Sequence, residues 1–293
     1  MSFILTLVAP REATTLTDSQ ISAARDMVRG GQPVILSPGE AADIPCGEIK
    51  PAQHDAARAA FGRYGIDVLV TKSRGRRKAV LVADMDSTIV TSETLDEIAA
   101  LAGIGEEVTA ITRRSMNGEL NFEQALRERV ALLKGKSADL LEQVWTKTEL
   151  TPGARELVAT MRAHNATTAL VSGGFTFFTS RVKTLCGFTE DHANTLLENN
   201  GILTGETGEP VLGPDAKLQH LTRIAEERGV KPAATLAIGD GANDLPMLRN
   251  AGLGLAFHGK PVVRREITNR IDHGTLRAAL FAQGYPATAF RSG

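Results

Sequence analysis

Cysteine is scarce in this chain, and neither sign of charge is in excess. The 293 residues include two cysteines, Cys46 and Cys186, which stand far apart and without the spacing of metal ligands. We therefore expect no catalytic thiol, and a reducing, cytoplasmic compartment fits this cysteine content. The formal charge of −1 provides no overall basic field, which argues against nucleic acid or an anionic membrane surface as the partner.

Long hydrophobic runs are also missing. The apolar opening from Phe3 to Ala9 is too short to span a bilayer and has no basic segment before it, so we expect a first strand and neither secretion nor membrane insertion. Aromatic residues make up only 4% of the chain, and none is interleaved with its one basic cluster. That cluster is therefore expected to be a solvated linker rather than a nucleic-acid surface. It consists of Lys72, Arg74, Arg76, Arg77 and Lys78.

Two kinds of pattern divide the chain. A hydrophobic content of 42% over this length can bury a sizeable core and predicts one large domain with a smaller one or an insertion. Residues 1–75 alternate strand-like and helical runs, which predicts a small α+β domain. It could be a ferredoxin-like or ACT-like regulatory module, or a dimerisation or packing unit, and the sequence leaves these alternatives, a homodimer included, open. The strand-like runs are 3–8, 34–37 and 66–70, and the helical runs are 19–29 and 52–64.

The stretch from Lys78 to Thr91 carries the first chemical signal. Five small or branched apolar residues, Ala79 to Ala83, predict a strand buried on both faces of a parallel sheet, and Asp84 and Asp86 follow where that strand ends. Ligands bind at this edge of open α/β sheets. If the chain turns between the two acids, both carboxylates can face one site, as a metal site, as a nucleophile with its general acid, or as both. The alternative is an ordinary polar turn that closes a strand.

Residues 92–149 have an almost entirely helical pattern and predict a four-helix insert between two α/β stretches. In the helix from Asn121 to Lys134, Arg129 falls in the middle of an apolar face. A guanidinium there needs a carboxylate or phosphate partner, or must extend its head to solvent. Glu93 lies near the start of the insert, where the helix dipole alone also favours an acid. Both residues are candidates for ligand binding with a structural alternative.

The α/β pattern returns after residue 150. The strand predicted over residues 167–171 runs into Ser172, Gly173 and Gly174, whose small size lets backbone N–H groups and a hydroxyl approach an anion. Such triplets are also common in plain loops. Lys217 falls in the first turn of a later helix, where the dipole disfavours a cation, so a nearby anion would explain it, although a solvated surface lysine is the common alternative.

A second acid-bearing strand end follows. Residues 235–238 predict a buried strand, and Asp240, Asn243 and Asp244 lie in the glycine-rich turn after it. Carboxyl ends of parallel strands share one edge of a sheet, so we expect Asp240 to converge with the acids after the first strand and with the Ser-Gly-Gly segment. Three acids, an anion-receptive glycine segment and a lysine together predict a Mg²⁺ site beside a phosphate site.

The strand ends and turns described above contain four motifs, and the order of these motifs resembles that of the haloacid dehalogenase superfamily. The residues within them are similar to those of its phosphoserine phosphatases. The resemblance covers about residues 76–285 and not the N-terminal domain. It implies a Rossmann-like α/β core with a parallel sheet over residues 76–91 and 150–293, and a helical, C1-type cap over residues 92–149. The motifs are Asp84-Met85-Asp86-Ser87-Thr88, Ser172-Gly173-Gly174, Lys217 and Gly239-Asp240-Gly241-Ala242-Asn243-Asp244.

The resemblance implies a role for each acid of these motifs. Asp84 would be the nucleophile that forms an aspartyl-phosphate, and Asp86 the general acid and later the general base. Mg²⁺ would be bound by the carboxylates of Asp84 and Asp240 and by the backbone carbonyl of Asp86, with Asp244 in support and Asn243 close to the substrate. The implied reaction is hydrolysis of O-phospho-L-serine to L-serine and phosphate.

The same resemblance assigns the remaining substrate contacts. Ser172, Gly173 and Lys217 would neutralise the phosphoryl oxygens. In the cap, Glu93 would receive the substrate ammonium and Arg129 its carboxylate. Two alternatives stay open: a phosphatase or phosphotransferase for another small phosphomonoester, because the core motifs serve any phosphate, and an amino-acid sensor with a domain of this type.

Overall fold

The computed structural model describes residues 2–116 and 119–292, without the side chain of Met116. No helix in these ranges is long and apolar enough to cross a membrane. The strands are β1 (Phe3–Val8), β2 (Val34–Ser37), β3 (Ala41–Cys46), β4 (Asp67–Lys72), β5 (Val80–Ala83), β6 (Thr167–Phe175), β7 (Glu190–Asn194), β8 (Leu196–Asn199), β9 (Ile202–Thr207), β10 (Thr235–Gly239), β11 (Leu253–Phe257) and β12 (Arg270–Ile271). The helices are α1 (Asp18–Val28), α2 (Pro51–Gly62), α3 (Thr94–Leu101), α4 (Gly105–Met116), α5 (Phe122–Ala131), α6 (Asp139–Trp145), α7 (Ala154–Ala163), α8 (Thr176–Cys186), α9 (Pro214–Glu227), α10 (Leu245–Asn250), α11 (Pro261–Glu266) and α12 (Arg277–Ala282).

A six-stranded parallel sheet of order β12-β11-β10-β5-β6-β7 forms the centre of the fold. Helices cover both of its faces. Val80 and Val82 of β5 pack with residues of α9 and α10, whereas Leu81 and Ala83 pack on the other face with residues of α7, α8 and α12. Burial on both faces explains the uninterrupted apolar run and confirms the predicted α/β class.

The register of this sheet brings three strand ends together. Ala83 of β5 pairs with Ile238 of β10 on one side and with Leu170 of β6 on the other. The residues that follow these three therefore emerge at the same edge, which is where an open parallel sheet binds its ligands.

Four helices, α3 to α6, lie between β5 and α7 in the described part of the chain and confirm the predicted helical insert. The hairpin of β8 and β9 packs against them: the Gly135 N–H donates to the Leu203 carbonyl at 2.9 Å and the Ala138 N–H to the Gly201 carbonyl at 2.8 Å. Asn200 and Gly201 form the hairpin turn with φ of 51° and 78°, conformations that these two residue types tolerate. The hairpin thus extends the helical layer above the sheet.

An antiparallel sheet of order β2-β3-β1-β4, packed on α1 and α2, forms the N-terminal part. The sequence pattern did not predict β3, because alanine, aspartate and proline are poor strand formers. In the fold, Asp43 of β3 accepts a hydrogen bond from Thr6 at 2.6 Å and pairs with Arg76. Pro45 lies beyond the residues of β3 that pair with β2. Contacts remote in sequence therefore outweigh the local preferences of this segment.

Polar side chains join the two sheets. Asn269, just before β12, donates to the Val70 carbonyl at 2.9 Å and accepts from the Val70 N–H at 2.8 Å, as a neighbouring strand would. The buried Asp67 carboxylate accepts hydrogen bonds from the backbone N–H groups of Asp272, His273 and Gly274 at 2.8, 3.1 and 2.7 Å. The N-terminal sheet is thereby fixed to the loop after β12.

We predict that Asp67→Ala lowers the free energy of unfolding by roughly 2–4 kcal/mol, because it leaves three backbone donors without their charged acceptor. Urea denaturation of the full chain measures this. The matched control is Asp26→Ala, which removes an exposed acid of the same domain and should change stability by less than about 0.5 kcal/mol. Equal losses in the two variants would contradict the assignment of Asp67 as a structural link.

Candidate active site

The chain after β5 forms one wide turn, Met85–Ile89, with Asp84 directly before it and Asp86 inside it. The buried Asp84 accepts a hydrogen bond on Oδ1 from the Met85 N–H at 2.8 Å. Ser87 has a φ of 53°, and this left-handed residue bends the chain back toward the sheet. Asp86 then accepts from the Thr94 N–H at 2.9 Å and from Ser172 Oγ at 3.4 Å. The turn therefore presents both carboxyl groups at the strand edge.

Lys217, in the first turn of α9, lies beneath these acids. Its buried ammonium is 2.8 Å from Asp84 Oδ1 and 2.5 Å from Asp244 Oδ1. Burial opposes its charge, but Asp244 and Asp84 outweigh this effect and raise the pKa of Lys217. The helix dipole disfavours a cation in the first turn of α9, and these two carboxylates supply the compensating negative charge.

The loop after β10 is organised by Asp244. Its Oδ2 accepts hydrogen bonds from the backbone N–H groups of Asp240 at 3.1 Å and Gly241 at 2.9 Å. A Cβ atom at Gly239 would overlap the Asp244 carboxylate, so only glycine fits at the end of this strand. Asp240 is held facing Asp84 as a result.

Three carboxylates form a candidate metal site. One oxygen each from Asp84, Asp240 and Asp244 lie within 4.8 Å of one another. Burial, with the charge of Asp244 added to it, raises the pKa of Asp84 well above its ordinary value, and burial also raises the pKa of Asp240. Concentrated, buried carboxylate oxygens of this kind fit a hard divalent cation. The Asp86 carboxylate is outside the cluster, as expected for a residue predicted to bind metal through its backbone carbonyl.

The Ser-Gly-Gly segment differs from its predicted form. The strand does not end at Val171: β6 continues to Phe175, with a break in its pairing to β7 between these two residues. Ser172 Oγ accepts from the Gly174 N–H at 2.9 Å. A Cβ atom at Gly174 would lie 2.9 Å from Asp86 Oδ2, and one at Gly173 would lie 2.9 Å from the ring of Phe122. Glycine at both positions therefore lets the strand approach the acid and the cap.

Glu93, which precedes α3, has an unpredicted partner. Its Oε1 accepts from Ser87 Oγ at 2.9 Å and lies 3.2 Å from the ammonium of Lys260. Lys260 is also 3.1 Å from Asp240 Oδ2 and so bridges cap and core. The available sequence signal for Lys260 was a cation three residues after the neighbouring strand β11.

Arg129 is partly buried on α5, and this burial lowers its pKa. Its Nε donates to the Ala125 carbonyl at 3.1 Å. Among the described residues, no carboxylate lies within 4.0 Å of its guanidinium; Asp96 and Glu93 act on it from farther away. A partly buried guanidinium without an anionic partner is unfavourable, and a ligand that supplies the anion would relieve this cost.

A cavity of about 460 Å³ separates Arg129 from the acids of the core. Burial raises the pKa of Asp86, on its floor, to about 6. Of the residues predicted for the site, Ser172 and Lys217 support the floor from behind through Asp86 and Asp84. The others line the cavity: Asp84, Asp86, Glu93, Arg129, Gly173, Asp240 and Asn243.

This site and fold occur in known proteins. Residues 81–249 match the family described as haloacid dehalogenase-like hydrolase. The chain belongs to this hydrolase family. Among solved structures, a hydrolase of the family from Salmonella enterica subsp. enterica serovar Typhi superposes with a TM-score of 0.86 at 27% identity, over 96% of this chain and 98% of the other. The likeness to that hydrolase therefore includes the N-terminal sheet.

Relatives of the present chain include curated phosphoserine phosphatases. The one from Streptococcus thermophilus is 44% identical over 199 residues, which are 68% of this chain and 93% of the relative. The one from Archaeoglobus fulgidus is 41% identical over 204 residues, 69% of this chain, and the chain spans 59% of that longer relative.

We predict that Lys217→Met destabilises the metal-free hydrolase by about 3–5 kcal/mol at pH 8, because two buried carboxylates lose their cation. The loss should shrink toward pH 5. Folding raises the pKa of Asp84, so the cost of its charge is complete above the folded pKa, declines as pH falls below that value and is gone only below the unfolded pKa. Urea denaturation with chelator at several pH values measures this.

Two further variants sharpen this test. Lys217→Met combined with Asp84→Asn should recover part of the loss, since one buried charge is removed. Lys183→Met, which breaks a half-exposed pair with Asp191, should cost less than about 1 kcal/mol. A loss at Lys217→Met that is independent of pH and is not relieved by Asp84→Asn would contradict the electrostatic account.

Proposed function

We propose that this hydrolase is a Mg²⁺-dependent phosphomonoesterase that converts O-phospho-L-serine to L-serine and phosphate. The observation that carries the proposal is the partly buried guanidinium of Arg129, which has no carboxylate partner among the described residues and faces the acids of the core across the cavity. A substrate with a phosphate at one end and a carboxylate at the other matches this arrangement. The identity to curated phosphoserine phosphatases supports the same substrate.

Asp84 is the proposed nucleophile. Both of its hydrogen-bonding contacts, from Met85 and Lys217, fall on Oδ1, so Oδ2 is left to attack phosphorus. In the first step, the bond from Asp84 Oδ2 to phosphorus forms as the bond to the serine oxygen breaks, and Asp86 gives its proton to that oxygen. In the second, Asp86 takes a proton from water, the water oxygen bonds to phosphorus, and the aspartyl-phosphate is cleaved.

The proposed Mg²⁺ ligands are the carboxylates of Asp84 and Asp240 and the carbonyl of Asp86, with Asp244 supporting them through Lys217 and the loop backbone. Bound Mg²⁺ would supply positive charge that stabilises the transferring phosphoryl group. The cluster of buried acids supports this set, because its carboxylate oxygens lie within 4.8 Å of one another and could bind one hard cation.

The substrate's other groups are assigned to the cap. Arg129 would bind the carboxylate and Glu93 the ammonium, in place of the Lys260 ammonium that contacts Glu93 in this structure. Ser172, Gly173 and Lys217 would contact or support the phosphoryl oxygens, and Asn243 at the cavity wall would lie beside the substrate.

We also propose the domain division that the sequence predicted: residues 1–75 as an N-terminal domain, 76–91 with 150–293 as the catalytic core, and 92–149 as the cap. A cytoplasmic location remains part of this proposal and is supported by two buried, unpaired thiols. A homodimer is a further prediction, for which size measurement in solution is the test.

We expect Arg129→Ala to lower kcat/KM for L-phosphoserine about 100-fold and to change that for phosphoethanolamine, which lacks the carboxylate, less than about threefold. The matched control is Arg127→Ala, an exposed arginine of the same helix whose pairs with Glu123 and Glu209 point away from the cavity. It should leave both values unchanged. Equal losses on the two substrates would make Arg129 structural and would favour another phosphomonoester.

A further inference from the structure

A second large cavity, of about 510 Å³, lies at the opposite edge of the parallel sheet from Asp84. Three parts of the chain form its wall: the end of β4, the linker of residues 74–78, and the core segments 248–254 and 266–269. It is bounded by the amino ends of β5, β10 and β11, whereas the catalytic acids follow the carboxyl ends. A ligand here would contact the N-terminal domain, the linker and the core at once.

The wall of this cavity is strongly basic. Five cations line it, Lys72, Arg74, Arg76, Lys78 and Arg249, and Glu266 is the one acid among its lining residues in the described part of the chain. Two of the cations are neutralised, Arg76 by Asp43 and Arg249 by Glu266. For the other three, no carboxylate within the described ranges lies inside salt-bridge distance.

The basic segment is exposed at Lys72, Arg74 and Arg77, as its composition suggested, but parts of it are fixed by contacts. Ser73 is tied to Ser2 by a backbone hydrogen bond of 3.0 Å and a hydroxyl contact of 2.6 Å. Lys78 is half-buried, and its ammonium donates to the carbonyls of Gly75 at 2.9 Å and Ala233 at 2.7 Å. Burial and the nearby charge of Lys72 lower the pKa of Lys78.

The ammonium of Lys78 is therefore already positioned at the cavity, with the exposed side chains of Lys72 and Arg74 on the same wall. An anion bound here would be stabilised by the combined positive charge of the three. The cavity volume falls in the range of small-molecule sites, and Phe3 is the one aromatic residue on the described wall, which gives nucleic-acid bases little to stack on.

We propose that this cavity binds a small organic polyanion, such as a phosphorylated metabolite, through Lys72, Arg74 and Lys78. The site is separate from the catalytic cavity and does not depend on the substrate proposed there. Because its ligand bridges the domains through the linker, binding stabilises their arrangement.

Calorimetric titration of inorganic tripolyphosphate into the metal-free full chain at low salt tests the proposal. The exposed pair Lys72→Glu with Arg74→Glu should weaken binding at least about tenfold. A second variant, Lys78→Met, should weaken it several-fold. The control Lys50→Glu with Lys147→Glu makes the same change in net charge on exposed residues elsewhere and should leave affinity within about twofold.

Each other outcome would overturn the proposal. Equal weakening by the two double variants would mean that only net charge matters. Loss of binding in Arg129→Ala would locate the anion in the catalytic cavity instead. Tighter binding of a short single-stranded oligonucleotide than of tripolyphosphate would indicate a nucleic-acid surface, and no binding by the unaltered protein would remove the site.

Discussion

The buried ammonium of Lys217 between Asp84 and Asp244 is the interaction on which the active site depends. It joins the ends of the two central strands, β5 and β10, and leaves one oxygen of Asp84 without a hydrogen-bond partner in the described part of the chain. Asp244 in turn orders the loop that carries Asp240. Without this cation, the negative charges of the buried carboxylates would destabilise the fold.

Charge is distributed unevenly along the catalytic cavity. The acids that form the candidate metal site lie at the sheet edge, whereas Arg129 lies in the helical layer above. Lys260 spans the two layers by contacting Asp240 and Glu93. This separation suits the proposed substrate, whose reacting phosphate and recognised head group lie at opposite ends.

The sequence predicted the parts that local pattern controls. Apolar runs of strand length revealed β5 and β10, and acids directly after them revealed Asp84, Asp86 and Asp240. Prediction from sequence failed where contacts between residues far apart in the chain determine the structure. In β3, Asp43 contacts Thr6 and Arg76, which are remote in sequence. The local sequence of β3 therefore does not indicate these contacts. Lys260 was missed because its role depends on which strands are neighbours, and the extension of β6 through two glycines contradicts their usual place in loops.

The most direct test of the account is phosphate release from L-phosphoserine, phosphothreonine, a sugar phosphate and an aryl phosphate, each with Mg²⁺ and with chelator, using Asp84→Asn as the blank. The account predicts strong preference for L-phosphoserine, loss of release with chelator and none from Asp84→Asn. Metal-independent release, or release by Asp84→Asn at an undiminished rate, would contradict it.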